Sequence, residues 1–284
     1  MSFSSDIKEE LSKVNNFNNK SILEAELLGY VLTGNITNNS NSIEYITEND
    51  FNIERLYKIL FNLNIKYEPD IKGKFYLATI KKDSQVERIM KLKFNLSNEL
   101  KKAIVRGSFL GSGSVTDPEN QYYLKIIFEE KENAQYILDI CENFNIKIKL
   151  LKSENKYHLY MKESEEISKF LALIGASRAV LSFEDVRVIK EMKNSVNRRV
   201  NCETSNLNKI VNASVNQINN IKLIQKSNKF DLLSDELKEL AILRLQNPDI
   251  SLKDIGLMLE KPIGKSGVNN RFKKIKEIAE GLKK

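Results

Sequence analysis

The chain has 284 residues, 41 % hydrophobic and 29 % charged, with a formal charge of +7 and a pI near 9.1. This is the composition of a water-soluble globular protein with room for two domains. It excludes a membrane-spanning protein, because no stretch approaches the roughly 20 apolar residues of a span. The positive charge is uneven. Residues 186–284 hold 20 Lys and Arg against 11 Asp and Glu, a net of +9, whereas residues 1–185 carry a net of −2.

A short helix is expected over 5–14, with Ile7 and Leu11 four apart. Residues 21–185 then read as an internal repeat. The first copy runs through a helix (Ile22–Leu32), Gly34, a strand (Ser42–Thr47), a helix (Ile53–Leu63) and a hairpin in LNIKYEPDIKGKFYLATI. The second runs through a helix (Leu100–Leu110), Gly111 and Gly113, a strand (Tyr122–Phe128), a helix (Ala134–Phe144) and a hairpin in FNIKIKLLKSENKYHLYM. Leu63-Asn64-Ile65-Lys66 parallels Phe144-Asn145-Ile146-Lys147 at an offset of 81, and Phe75-Tyr76-Leu77 parallels Tyr157-His158-Leu159 at 82. A duplication this regular implies two αββαββ units (about 21–95 and 98–176) sharing one core with pseudo-two-fold symmetry. Each copy is followed by a further helix, Gln85–Lys93 and Glu165–Ile174.

Residues 186–230 are expected to form a helical linker. From Leu207 the apolar positions Leu207, Ile210, Val211, Ser214, Val215, Ile218 and Ile221 have helical spacing with an Asn-rich opposite face. Lys226-Ser227-Asn228-Lys229 reads as a flexible joint. Residues 231–284 carry three helical patterns, each with its own start signal. Ser234 precedes the first, with Asp235 and Glu236 in its opening turn and a stripe of Leu237, Leu240 and Ala241. Asn247-Pro248 breaks it. Ser251 opens the second, with Asp254 as capping-box partner and a stripe of Leu252, Ile255, Gly256 and Leu259. Pro262 and Gly264 end it. Ser266 opens the third, with Val268, Phe272, Ile275 and Ala279 inward.

Three short helices with a tight middle turn fit a helix-turn-helix, the motif spanning about 251–284. The third helix then has the composition of a recognition helix. Ser266, Asn269 and Asn270 are placed to meet base edges, asparagine suiting adenine through a bidentate pair, and Lys265, Arg271, Lys273 and Lys274 to meet phosphates. The partner expected is double-stranded DNA. The Arg198-Arg199 pair reads equally as a further phosphate contact or as a solvated helix end. Lys125, Lys147 and Lys149, on strands alternating apolar with basic, read equally as phosphate contacts or as a solvated sheet face.

No catalytic constellation assembles. His158, the single histidine, lies in strand-like KYHLYM without a Cys or His partner and reads as a strand-surface residue. Gly111-Ser112-Gly113-Ser114 lacks the lysine of a phosphate-binding loop and reads as a helix end turning into a strand. Cys141 and Cys202, far apart and with no CxxC, read as reduced thiols. The N-terminus has no basic head before an apolar run. The expected location is the cytoplasm, at the nucleoid, with no cofactor and no metal.

The helices LLGYVLTGN (27–35) and VRGSFLGSGS (105–114) place Gly29, Gly107 and Gly111 where two helices could cross closely. This arrangement resembles the LAGLIDADG homing endonucleases, whose two signature helices pack at a pseudo-dyad and whose penultimate signature acid holds the metal that cuts DNA. Those positions here are Gly34 and Ser112, neither of them a carboxylate ligand. The nearest acids, Glu24, Glu26 and Asp117, belong to other positions. The resemblance therefore implies an α+β endonuclease fold without its chemistry.

Several segments together resemble the WhiA family of bacterial regulators: SFSSDIKEEL at the N-terminus, RGSFLGSGSVTDP (106–118), NRRVNCETSNLNK (197–209), SLKDIGLML (251–259) and GKSGVNNRFKKI (264–275). They occur in order over nearly the whole chain. The resemblance implies a non-catalytic LAGLIDADG-like domain (1–185) tethered to an all-α helix-turn-helix domain (231–284). It also implies a DNA-binding transcriptional regulator tied to cell division, chromosome segregation and sporulation, with further protein partners in transcription or division. Two rivals stand beside it. A surviving metal-dependent endonuclease would cut duplex DNA with magnesium. A protein-binding scaffold would hold DNA weakly and without sequence preference. No heptad seam announces a dimer, and the oligomeric state stays open.

Overall fold

A computed structural model of the chain describes residues 2–92 and 96–282. Their contacts divide the chain into two compact units, Met1–Glu191 and Met192–Lys284.

The first unit opens with α1 (Phe3–Ser12), capped by the Ser2 hydroxyl, which accepts from the Ser5 N–H. The first repeat follows as α2 (Lys20–Val31), β1 (Ile36–Asn38), β2 (Ser42–Thr47), α3 (Asp50–Asn62), β3 (Tyr67–Lys72) and β4 (Phe75–Lys81), then α4 (Ser84–Met90). The second is α5 (Asn98–Ser112), β5 (Ser114–Val115), β6 (Leu124–Phe128), α6 (Lys131–Asn143), β7 (Lys149–Ser153) and β8 (Lys156–Met161), then α7 (Ser164–Ile174). Both copies form antiparallel four-stranded sheets of the same topology, β1-β2-β4-β3 and β5-β6-β8-β7. The expected α+β duplication is therefore present. The expected helix Gln85–Lys93 corresponds to α4, and its last residue, like the end of the first repeat at 95, lies outside the described residues.

The repeat is visible in backbone detail. Asn64 and Asn145, 81 residues apart, both have φ of 56°. Each follows a helix end at which the next N–H closes back five residues, Ile65 to the Leu60 carbonyl and Ile146 to the Cys141 carbonyl. Asparagine tolerates this left-handed cap because its short polar side chain lowers the cost.

The core forms where α2 and α5 cross. Side chains are nearly absent from the crossing. A Cβ on Gly29 would lie 2.2 Å from the Ile104 carbonyl oxygen, and one on Gly107 would lie 2.0 Å from that of Glu26. The helices therefore meet backbone to backbone. Beside the crossing lies a fully buried carboxylate, Glu26, held by two arginines from other helices. Arg55 of α3 donates to it from Nε at 2.8 Å and from Nη2 at 3.0 Å, and Arg106 of α5 from Nη2 at 2.9 Å and Nε at 3.0 Å. Arg55 also donates to the Val14 carbonyl and the Asn16 side chain, both at 2.6 Å. One acid thus joins α2, α3, α5 and the loop after α1. Burial alone would raise the Glu26 pKa. The charges and hydrogen bonds of Arg106 and Arg55 outweigh it and hold the carboxyl below its ordinary value.

Helix α8 (Ser177–Lys226) is continuous over 50 residues, so helix begins thirty residues before the amphipathic stretch expected from Leu207. In the first unit its N-terminus is capped by Glu10 of α1, whose carboxylate accepts the Arg178 N–H at 2.7 Å and the Ala179 N–H at 3.0 Å. In the second unit it precedes a 3₁₀ turn (Phe230–Leu232), α9 (Asp235–Gln246), α10 (Leu252–Met258) and α11 (Lys265–Gly281). Ile221 and Ile224 of α8 lie in one core with Leu240, Ile255, Val268, Phe272 and Ile275. The segment 226–229 is thus a turn between two helices of one core rather than a joint between domains. The expected inward stripes of the last three helices are buried, apart from half-buried Leu252.

Two outcomes test this core. Gly107→Ala should destabilise the first unit by about 2–3 kcal/mol, since backbone cannot yield to the added methyl as a side chain could. The shift in urea midpoint reads it, with Gly264→Ala, which enters open space, as reference. Because the Glu26 pKa is lowered on folding, its contribution is fully present above the ordinary carboxylate pKa and is lost as pH falls through the folded value. Acid unfolding of Glu26→Gln should lack that component, and the variant should already be weaker by about 3–5 kcal/mol at neutral pH, with two arginines left unpaired.

Candidate nucleic-acid interface

In the second unit, the turn from α10 to α11 is fixed by contact of backbone with backbone. The Ile263 N–H donates to the Gly256 carbonyl at 3.0 Å, and a Cβ on Gly256 would lie 2.2 Å from the Ile263 carbonyl oxygen. Ser251 caps α10. Its hydroxyl accepts from the Asp254 N–H at 3.3 Å and donates to the Asp254 carboxylate at 2.6 Å. The loop before α10 is held by Arg244, a residue the sequence reading passed over. Its guanidinium is buried, donates to the Ile250 carbonyl at 2.8 Å, and sits 5.6 Å from the Phe272 ring centroid. Burial lowers its pKa, yet an arginine stays charged throughout the working range. Ser214 of α8 donates to the Pro248 carbonyl of the same loop at 2.5 Å.

These contacts leave one face of α11 open. It starts at Lys265, two residues earlier than a cap at Ser266 would give, and Gly264 rather than Ser266 occupies the cap position with no side-chain acceptor. Its first N–H groups are thus uncapped at the positive end of the helix dipole, an arrangement suited to phosphate. Lys265, Ser266, Asn269, Asn270, Lys273 and Lys274 are all exposed. Among the described residues none of them has a carboxylate partner. No acid occurs from Lys261 to Lys276. Arg271 differs: it is largely buried and pairs with Glu236 of α9 at 3.0 Å. Its guanidinium is therefore engaged in tying α11 to α9.

In the first unit, Ser112 and Gly34, the two positions the sequence resemblance equates with metal-binding acids, make internal bonds. The Ser112 hydroxyl donates to the Ile127 carbonyl at 2.7 Å and accepts from the Ile127 N–H at 3.1 Å. The Gly34 N–H donates to the same carbonyl at 2.8 Å. A side chain at 34 would begin 3.1 Å from Ile127 Cγ2. The three acids named from the sequence lie elsewhere: Glu24 pairs with Arg88, Glu26 with Arg55 and Arg106, and Asp117 is exposed on a loop. No group of three His, Cys, Asp or Glu residues among the described residues is arranged to hold a metal ion. Gly113 ends α5 and Ser114 begins β5, so that stretch is a helix end turning into a strand. Cys141 is buried and Cys202 exposed, both free. No described helix is long and apolar enough to cross a membrane.

The open faces of the two sheets differ in charge at equivalent places. In the second sheet Lys125, Tyr160 and Lys149 lie side by side across β6, β8 and β7. In the first, 81 residues earlier, the same row is Glu44, Thr79 and Glu68 across β2, β4 and β3. His158 occupies the next outward row of the second sheet, and partial burial with nearby Lys125 and Lys156 keeps its pKa below the ordinary value. A duplex laid symmetrically over both sheets would meet lysines on one half and glutamates on the other, which disfavours that binding mode.

Comparison with known proteins now decides the family. A model described as the WhiA C-terminal HTH domain matches residues 196–279, and one described as the WhiA LAGLIDADG-like domain matches residues 101–193. A "Probable cell division protein WhiA" from Clostridium acetobutylicum is 36 % identical over all of this chain and 99 % of its own length. The chain belongs to the WhiA family. A WhiA protein of the same description from Ruminiclostridium cellulolyticum is likewise 36 % identical, over 100 % of this chain and 99 % of its own. The crystal structure of full-length DUF199/WhiA from Thermotoga maritima matches with a TM-score of 0.65 at 28 % identity, covering 99 % of this chain and 98 % of that one. The WhiA-type helix-turn-helix is the second unit, and the WhiA LAGLIDADG-like fold is the first.

Ser112→Ala should leave the Ile127 N–H without its partner and destabilise the first unit by about 1–3 kcal/mol. DNA affinity of the folded protein should not change. Chemical denaturation and a binding titration on one preparation read both quantities.

Proposed function

We propose that this chain is a sequence-specific DNA-binding transcriptional regulator that acts in cell division and cuts no DNA. The observation carrying the reading is the open face of α11, where Ser266, Asn269, Asn270, Lys273 and Lys274 stand exposed on a helix-turn-helix whose fourth cation, Arg271, is engaged internally. In this reading α11 enters the major groove. Ser266, Asn269 and Asn270 read base edges, and Lys265, Lys273 and Lys274, with the uncapped helix start, hold phosphates. Arg271 reaches phosphate only by sharing its charge with Glu236. The cell-division role is supported by the names of the relatives, and roles in chromosome segregation and sporulation extend it by the same kinship. Residues 1–185 serve as a folded platform for protein partners at the nucleoid, since the bonds around Ile127 take the place of metal ligands.

Selection of binding sites from a random duplex pool tests the assignment. Asn269→Ala should relax the preference at about one base position at a cost of about 1–3 kcal/mol there, whereas Lys274→Ala should weaken all sequences alike and lower the salt slope by about one. Identical effects of the two substitutions would contradict the division of roles.

A further inference from the structure

The helix-turn-helix reading leaves unused the most exposed helical segment of the molecule. Every residue from 191 to 209 of α8 is exposed. A helix without packing must rely on its own propensity, and Met192–Lys209 is poor in that respect. It contains Asn194, Asn197, Asn201, Asn206 and Asn208 with Ser195, Thr204, Ser205, Val196 and Val200, residue types that disfavour helix because of backbone-competing or β-branched side chains. Such a segment gains a stable helical state by binding something.

Its faces indicate what. Asn194, Arg198, Asn201, Ser205, Asn208 and Asn212 recur at helical spacing and are all exposed. Among the described residues, no hydrogen bond engages the side chains of Asn194, Asn201, Asn208 or Asn212. Arg198 reaches only the Asn194 carbonyl of the preceding turn, at 3.3 Å, and Arg199 has no carboxylate partner. From Met192 to Ala213 the charged residues are Lys193, Arg198, Arg199 and Lys209 against Glu203 alone. Glu203 falls seven residues after Val196, on the opposite side from the amides. The combination is a row of amides, which can pair with base edges, an arginine within the row, and a positive balance with no carboxylate facing outward from it. The segment belongs to the same compact unit as the helix-turn-helix, and α8 continues directly into its core through Ser214, Ile221 and Ile224.

We infer that residues 194–212 of α8 form a second DNA-contacting element, which orders on double-stranded DNA beside the site read by α11. This inference rests on the proposed DNA binding and extends its surface. From residue 194 to residue 212 the helix rises about 27 Å, long enough to follow a duplex for about eight base pairs at 3.4 Å each. An opposite face, with Met192, Val196, Val200, Leu207, Val211 and Val215 exposed, would suit a second copy of the chain. It lacks continuity, because Glu203 interrupts it, and nothing comparable to the amide row's charge match favours that occupant.

The test uses the full chain, a duplex from the site selection above, and three proteins: wild type, Asn194→Ala/Asn201→Ala/Asn208→Ala, and Asn269→Ala/Asn270→Ala. Alanine is the better helix former, so the first variant cannot fail by losing its helix. Footprinting and amide hydrogen exchange are measured with and without DNA. The expected result is an affinity loss of about tenfold or more for the α8 variant, a footprint shortened on one flank with the α11 contacts retained, and slowed exchange over 193–209 only when wild type is bound. Full affinity and an unchanged footprint for the α8 variant, with binding lost in the α11 variant, would overturn this inference and leave the helix-turn-helix reading intact. No binding by wild type, or none lost in the α11 variant, would overturn the reading itself. Protection of 193–209 without DNA that grows with protein concentration would overturn the inference in favour of a second copy.

Discussion

The first unit depends on the place where α2 and α5 touch. Gly29 and Gly107 let two backbones meet where any side chain would collide, and beside the crossing lies the buried carboxylate of Glu26. That carboxylate has no access to water and survives charged because Arg55 and Arg106 supply four donated hydrogen bonds to its two oxygens. A buried ion cluster of this kind is weak as a source of net stability, since desolvation consumes most of the attraction, but removing Glu26 leaves two arginines without a counter-charge. It therefore acts as a register device. It specifies which turn of α2 faces which turn of α5, and it draws α3 and the loop after α1 into the same arrangement.

That crossing also explains how an endonuclease-like fold persists without ligands for a metal. The fold needs the glycines and the buried acid; it does not need a carboxylate at Gly34, three residues past the end of α2, or at Ser112, the last residue of α5. At those positions Ser112 and Gly34 bond to one peptide group, that of Ile127. The end of α5 and the turn after α2 are thereby pinned to strand β6. The sheets differ as well, since equivalent rows of lysine and glutamate make the two repeats electrostatically unlike. The net positive charge is carried by residues 186–284, which places the main attraction for a polyanion in the helix-turn-helix unit and the helix leading into it.

Much of this was legible in the chain itself. The repeat showed because Asn64 and Asn145 mark two equivalent left-handed helix ends and are followed by the same Ile-Lys pair. The helix-turn-helix showed because its inward stripes are regular and its breaks fall on Pro248, Pro262 and Gly264. What stayed hidden had a physical cause in each case. Glu26, Arg55 and Arg106 come from three helices, and no local spacing betrays a contact across 80 residues. Arg271 looked like a phosphate ligand because its partner, Glu236, lies on a different helix. The linker 186–230 read as helical, but its continuity back to Ser177 stayed hidden because the clear apolar period starts only at Leu207. The strands β1 and β5 are too short, at three and two residues, to show a period. The charge inversion between the sheets was present in the aligned repeats, yet only the strand registers show that the three residues of each row are neighbours.

The central claim is that this chain recognises particular duplex sites through its second unit and leaves them intact. The most direct measurement incubates the purified protein with sheared genomic DNA at physiological salt with magnesium, then sequences both the retained fragments and their ends. The account predicts retention of a limited set of loci sharing a short motif, with ends no different from those of the input. New ends clustered inside the retained loci would contradict it, by showing that the fold still cuts, and uniform weak retention without a shared motif would contradict it as well.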